Sequence, residues 1–482
     1  MKKYNWRKMA CSLFVFLVAA AVISHAQTFT TILSFDYTNG AIPWGLAQGA
    51  DGNFYGTTDK GGQAGGSCNE SCGTIYKLTP GGTLTTLHKF NGTDGNGPSL
   101  GVVQASNGTF YGTTSYGGTS VNCNGGDCGT AFKMSAKGAL KTLLSFDNTD
   151  GATPWGALIV GTDGNFYGTT TFGGANGYGT VFKMTSAGAL TTLHNFGNTD
   201  GAYPFGELVE GTDGNFYGTT VEGGTDSYGT VFKMTSAGTV TTLHSFTGSD
   251  GGYPYAGLVQ ALDGNFYGTA SAGSIQNGPS CSEMGIGLGT IFEITSGGTF
   301  TTLHTFNGTD GSFPYAGLVQ GTDGNFYGLA SCGGTNGDGT IFEFVTSSGT
   351  LTTLHTLSGS DGISPFSGQG LIQATNGSFY GTAVEGGTDN YGTIFSLSVG
   401  LGPFVELHPT SGKVGTKVTI LGNNLTGTTA VDFNGKPVKS FKVVSGGTEI
   451  TTSVPKGATT GYVTVTTPSG TLTSNVPFQV TM

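Results

Sequence analysis

Along most of the chain, short runs of alternating apolar and polar residues are separated by glycine-rich turns, the pattern of strands rather than helices. Residues 256–306 show the unit: AGLVQ leads through the turn ALDG into NFYGTA, a long glycine-rich loop reaches GTIFEIT, and the turn SGG leads to TFTTLHTF. Asp-Gly between two alternating runs is a strong hairpin signal, because both residues tolerate positive φ. The unit therefore holds four short strands, and it recurs. DGNFYGTT begins at Asp51, Asp163 and Asp213, with close variants at Asn107, Asp263, Asp323 and Asn376. A second phrase, GTVF or a near relative, follows each of them, at Gly73, Gly129, Gly179, Gly229, Gly289, Gly339 and Gly392.

Seven four-stranded units spaced 50 to 60 residues apart predict a seven-bladed β-propeller. The seventh unit stops near Gly400 without its TTLH strand, and TFTTILSF, close to the other end of the chain, is the strand that is missing. The N-terminal strand is thus expected to complete the last blade. Residues 401–482 change character: Val, Ile and Thr alternate with polar residues between Gly, Asn and Pro turns, which predicts a small all-β sandwich.

Composition refines this picture. Residues 1–26 read as a secretory signal, with Lys2, Lys3, Arg7 and Lys8 before an apolar run and small residues at Ser24 and Ala26. The expected mature chain begins near Gln27, carries no further span and is extracytoplasmic. The 89 glycines mark turns, since collagen-like triplets are absent. Net charge is −11 for the whole chain and −18 for residues 27–400, whereas residues 401–482 are +3. Without a basic footprint nucleic acid is excluded as a partner. No arginine follows Arg7, so forked recognition of carboxylate or phosphate is excluded too. Six cysteines follow the leader, Cys68, Cys72, Cys123, Cys128, Cys281 and Cys332, an even number that predicts disulfides in an exported protein. The first four lie in equivalent loops of the first two units at spacings zinc also uses; Cys281 and Cys332 lie in equivalent loops of the fifth and sixth and form a natural pair.

Two resemblances follow from these motifs. PTSGKVGTKVTILGNNLTG, VDFNGKPV and VPKGATTGYVTVTTPSG resemble the IPT/TIG family of Ig-like domains across most of residues 403–480. The DGNFYGTT repeats resemble the GloVer tandem-repeat family of bacterial surface proteins, which carry varied C-terminal anchoring domains, and the blade entry of periplasmic sensor propellers. The resemblances imply an extracytoplasmic bacterial protein and no reaction.

Chemistry is expected on the face bearing the long second-to-third loops and the connections between units, because length variation gathers there. After the proline of each connection come Trp44, Trp155, Phe205, Tyr255, Tyr315 and Phe366, with Ser99 the exception. Flat aromatics suit stacking on sugars; the competing reading is that they wedge adjacent blades together. Asp94, Asp150, Asp200, Asp250, Asp310 and Asp361 are turn residues first; a calcium role would need a ligand run that is not present. His88, His194, His244, His304 and His355 occupy one equivalent position in five units, so they spread around the rim and cannot share one ion. Glu207 and Glu210 depart from the repeat, but three residues apart on a strand they face opposite ways, a poor acid/base pair. Glu222, Glu283 and Glu385 are further acids on loops. A sugar oxidase of the kelch type would pair similar domains, yet no Tyr/Cys/His copper motif is found. The expected role is non-catalytic binding or display, of carbohydrate or with a cell-surface protein partner. The alternatives are a polysaccharide-acting enzyme with its site at the propeller mouth, and a structural envelope or matrix component.

Overall fold

The computed structural model describes residues 27–62, 68, 71–120, 122–123, 128–273, 288–366, 368–444 and 446–481. Among them the helices are absent and the repeat region forms seven antiparallel sheets. The third unit shows how its sequence builds one. Ile159–Val160, Phe166–Thr170, Thr180–Met184 and Leu190–Asn195 pair in chain order. Asp163 shapes the entry to the second strand by accepting the Asn165 amide at 3.0 Å and the Tyr167 hydroxyl at 2.9 Å. That is why Asp, Asn and Tyr recur together in DGNFY.

Within the phrase FYG the two aromatics sit on opposite faces of the sheet, as neighbours on a strand must. Phe166 packs on Tyr111 of the preceding unit at 4.0 Å between centroids, and Tyr167 on Phe216 of the following one at 4.2 Å. The same Tyr–Phe contact joins every successive pair and also joins last to first, where Tyr380 meets Phe54 at 4.2 Å. The glycine after Tyr leaves room for the third strand's aromatic: a Cβ on Gly168 would lie 2.7 Å from Phe182 Cζ. The glycine of GTVF is constrained twice. Gly179 has φ +93°, and a Cβ there would lie 2.8 Å from the Cδ of Pro204 in the next unit.

The displaced strand is where counting puts it. Thr28–Ser34 pairs antiparallel with Thr393–Ser398, completing the four-stranded seventh sheet. A second set of bonds links the units through their Asp-Gly turns. Side-chain oxygens of Gln104, Glu210, Gln260, Gln320 and Gln373 accept amides of the preceding unit's turn at 2.8–3.1 Å, and Gln48 accepts that of Thr375 in the seventh. Val160 stands at this position in the third unit and has no acceptor to offer.

The first strands depart from expectation. AGLVQ was expected to form one throughout, but only Val259–Gln260 does. The residues before it hold a proline, which lacks the N–H a ladder needs, and a left-handed residue. The first unit keeps a longer strand, Ala41–Gln48, and the second splits it into Asn96–Pro98 and Val103–Gln104.

Beyond Gly402 lie two four-stranded sheets. One orders Glu406–His408, Lys417–Leu421, Glu449–Ser453 and Lys442–Val443; the other Lys436–Pro437, Ala430–Phe433, Val463–Thr467 and Gly470–Thr473. They share a core that includes Leu407, Ile420, Val431, Ile450, Val465 and Phe478. This part touches the short turns of the first and seventh units. Phe404 N–H donates to the Thr375 carbonyl at 3.1 Å, Asn423 Nδ2 to Thr375 Oγ1 at 2.8 Å, and Thr448 Oγ1 to the Ala50 carbonyl at 3.1 Å.

Candidate functional site: an aromatic ring on the loop face

Each connection between units passes through a kink. The residue before its proline is left-handed in all seven: Ile42, Thr153, Tyr203, Tyr253, Phe313 and Ser364 have φ between +49° and +58°, and Gly97 has +59°. Non-glycine residues rarely adopt this conformation, and each instance costs roughly 1–3 kcal/mol. One backbone bond holds each kink. The amide donates to the carbonyl just before the GT glycine of the preceding unit, as from Tyr203 to Tyr178 at 2.9 Å and, across first and last, from Ile42 to Tyr391 at 3.1 Å. The proline then lands on that glycine, and the next residue is the aromatic.

The six aromatics singled out from sequence come together as one closed circuit. Trp44 meets Trp155 at 5.7 Å between centroids, Trp155 meets Phe205 at 5.2 Å, and Phe205 meets Tyr255 at 5.3 Å. Tyr255 meets Tyr315 at 5.1 Å, Tyr315 meets Phe366 at 4.6 Å, and Phe366 returns to Trp44 at 5.9 Å. Only Trp155–Phe205 is stacked; the others are tilted or edge-on, arrangements that ring quadrupoles favour. Trp44 is buried, and the other five are half-buried. The second unit contributes none. Its Ser99 is buried against Ser115 at 3.2 Å and bonds the Pro154 carbonyl, and the kink before it is the one made by glycine. Trp44 and Trp155 close the circuit across that gap, over Leu100 and Ala157.

Two polar atoms beside this ring have no partner among the described residues. Among the described residues nothing hydrogen-bonds the buried Trp44 Nε1, nor the buried Gln369 Oε1, which lies beside Gly101 and Gly45. Buried polar atoms are normally paired; Tyr76 Oη, Thr382 Oγ1 and Asn475 Oδ1 are further buried atoms with no partner among the described residues. Tyr315 is pushed up to about 12 by burial, with Tyr255 adding to the effect; Tyr255 is itself raised by burial and then by Glu222.

The acids separate. Glu210 gives both carboxylate oxygens to Thr162, at 2.8 and 2.7 Å, on the turn face. Glu207 follows Phe205 by two residues and lies against Gly257, where a Cβ would come within 2.9 Å of Glu207 Cγ. Burial alone pushes its carboxyl up to about 7. Glu385 lines a cleft of about 340 Å³ with Tyr37, Lys60 and Tyr391 between the seventh unit and the first. Glu283 lies outside the described residues.

Each of the five histidines bonds an aspartate of its own unit: His88–Asp94, His194–Asp200, His244–Asp250, His304–Asp310 and His355–Asp361, with Nε2–Oδ2 distances of 2.8–3.0 Å. The other carboxylate oxygen accepts a turn amide, as from Gly197 at 2.7 Å. This pairing was missed in the sequence, where its trace is the constant six-residue offset and the joint replacement of the pair by Leu33 and Asn39 in the seventh sheet. Among the described residues no three His, Cys, Asp or Glu group as metal ligands. Cys68 bonds Cys72, and Cys123 bonds Cys128, with Cα–Cα distances of 5.8 and 5.7 Å. Both bridges are local to a loop, and both end next to a GT glycine whose preceding carbonyl holds a kink. Cys332 is disulfide-bonded; Cys281 lies outside the described residues.

Comparison with known proteins bears on fold and family. The model of the Gloeobacter/Verrucomicrobia repeat matches residues 21–119, 63–281 and 278–473. No curated protein sequence matches the chain. A fungal alcohol oxidase of the AA5 family, solved in complex with copper, overlays with TM-score 0.54 at 12% identity, covering 94% of this chain and 99% of its own. That likeness shows the fold alone. The PQQ-bound aldose sugar dehydrogenase of Streptomyces coelicolor gives TM-score 0.39 at 14% identity, over 66% of this chain and 98% of the other. A gluconolactonase from Xanthomonas campestris gives 0.36 at 13%, over 64% and 86%. The last two similarities are too slight to argue from.

Proposed function

The chain belongs to the Gloeobacter/Verrucomicrobia repeat family, a family of bacterial repeats, and from that premise we propose that it is an exported, non-catalytic binding protein that takes carbohydrate on its loop face. In this reading residues 1–26 are a cleaved signal, residues 27–400 close as a seven-bladed propeller, and residues 401–482 are an Ig-like domain of the IPT/TIG kind. The cyclic Tyr–Phe contacts and the last-to-first bond from Thr375 to Gln48 support closure. Two sheets over one core support the Ig-like domain. Local disulfides fit an oxidising compartment, and no described helix is long and apolar enough to cross a membrane.

The observation that carries the binding role is the closed aromatic ring, built at six strained kinks and bordered by buried polar atoms with no partner among the described residues. Strain and unpaired polar groups collect where a molecule meets its ligand. The polysaccharide-acting alternative rests on Glu207, whose raised carboxyl resembles a general acid. Glycoside hydrolysis generally uses two carboxylates, and Glu210 is committed to Thr162. The test is retention on a panel of purified polysaccharides with released oligosaccharide scored in parallel, in the presence and absence of calcium. Saturable retention without release, lost in Trp155→Ala, is the expected result. Fragment release would overturn the non-catalytic role, and silence on both counts would leave the ring as a wedge between blades.

A further inference from the structure

We propose that the cleft between the seventh unit and the first binds a small zwitterion of the amino-acid type, its carboxylate on Lys60 and its ammonium on Glu385. Two contacts across the junction fix the walls. The Ile42 amide donates to the Tyr391 carbonyl at 3.1 Å, and the Tyr37 ring lies 5.1 Å from that of Tyr391. Lys60 stands on the strand that pairs with Ala41, and Glu385 on the opposite wall is bridged to Ile363. Tyr37, Ile42, Lys60, Glu385 and Tyr391 line one space of about 340 Å³, the size of a small-molecule site.

This cleft is made by departures from the repeat. Glycine or asparagine holds the place of Tyr37 in the other six units, as at Gly92 and Asn148, both left-handed. Tyr37 has φ +68°, a conformation that bulky side chains avoid. At the next-but-one junctions the kink residue is a tyrosine packed on the preceding unit's tyrosine, Tyr203 on Tyr178 at 5.9 Å and Tyr253 on Tyr228 at 5.7 Å. Ile42 stands in that place here, and Tyr391 stays 38% exposed.

The charges select the ligand. Lys60 and Glu385 are both exposed, and neither side chain has a hydrogen-bond or ion-pair partner among the described residues. Asp59, the chain neighbour of Lys60, turns the other way, towards Gly97 of the second unit. The remaining lysines of residues 27–400 are engaged or lie at the other end. Lys77, Lys183 and Lys233 bind turn aspartates at 2.7–2.8 Å, and Lys89 reaches the Gly62 carbonyl at 3.1 Å. Lys133, Lys137 and Lys141 flank a short turn. Lys60 is therefore the cation left at the loop end. Two opposite charges that share a cleft without pairing complement a ligand that carries both. A net anion would approach against the −18 of residues 27–400, whereas a neutral zwitterion does not. The tyrosines and Ile42 then receive an apolar or aromatic side chain.

The experiment is calorimetric titration of the purified chain, of Lys60→Met and of Glu385→Gln with phenylalanine, phenylalanine amide and N-acetylphenylalanine, at mildly acidic pH where each carries its full charge. Phenylalanine is expected to bind about tenfold or more tightly than either derivative, the usual worth of one charge-assisted bond. In Lys60→Met its advantage over the amide should vanish, and in Glu385→Gln its advantage over N-acetylphenylalanine, with thermal unfolding unchanged because both side chains are exposed. Equal affinity for the three, a preference that survives in the matching variant, or no binding of phenylalanine overturns the inference. None of these residues belongs to the aromatic ring, so the inference stands or falls apart from the carbohydrate reading.

Discussion

The two ends of the repeat sheets obey different rules. At the turn end each unit is nearly a copy of the last: an Asp-Gly turn caps its own tyrosine, and a Gln or Glu from the next unit ties down its amide. The C-terminal sheets rest on this end, against Ala50 and Thr375. At the loop end lengths vary, loops are tied by disulfides, left-handed residues recur before proline, and two buried polar atoms have no partner among the described residues. The turn end satisfies most of its groups, with Val160 the exception, whereas the loop end retains strained residues that the rest of the fold must offset. The contrast is what makes the loop end the place to look for a ligand.

That contrast can be broken from either side. The largest effect is expected at the glycine on which the next unit's proline rests. Gly179→Ala puts a Cβ at φ +93° against Pro204, and should destabilise by roughly 3 kcal/mol, read as a lowered denaturant midpoint. Next, Cys128→Ser opens the loop whose Cys128 carbonyl holds the Thr153 kink at 2.9 Å, and should cost about 2 kcal/mol. A reductant should lower the parent's stability and leave a variant lacking all the loop cysteines unchanged.

Glu207→Gln should act in the opposite sense and only at high pH. A carboxyl raised to about 7 when folded adds stability below its unfolded value of 4.5, and that stability is lost as pH rises through 7. The variant should therefore match the parent at pH 4 and exceed it at pH 8 by on the order of 2 kcal/mol. Equal stability at both would mean that Glu207 is solvated. The smallest effect belongs to the turn end: Val160→Gln supplies the acceptor missing between the second and third units, and should raise stability by about 0.5–1 kcal/mol in thermal unfolding.

How much of this was legible depends on whether a feature repeats. The strand that completes the seventh sheet follows from counting phrases, and FYG and GTVF announce their packing because each residue type has one physical task seven times over. The ring's members were legible too, as the residues after the connecting prolines. Its closure was not, because Trp44 must reach Trp155 past Ser99 and no local pattern gives that reach. The shortened first strands were missed for a similar reason: AGLVQ alternates like a strand, but the kink ahead of it is set by a bond to the preceding unit. Glu207 stood out as a departure from the repeat, although its solitude depends on Glu210 turning to Thr162. Departures are where sequence periodicity falls silent and geometry has to speak.

The central claim, that the ring is a ligand site rather than a wedge, has a built-in reporter. From Gln27 onward the chain contains two tryptophans, Trp44 and Trp155, and both are in the ring. Tryptophan emission should therefore be followed during titration with a retained oligosaccharide, alongside an independent measure of binding. The account predicts a saturable shift in emission that tracks binding, with both abolished in Trp155→Ala. Binding that saturates while the emission stays constant would place the ligand elsewhere and contradict it.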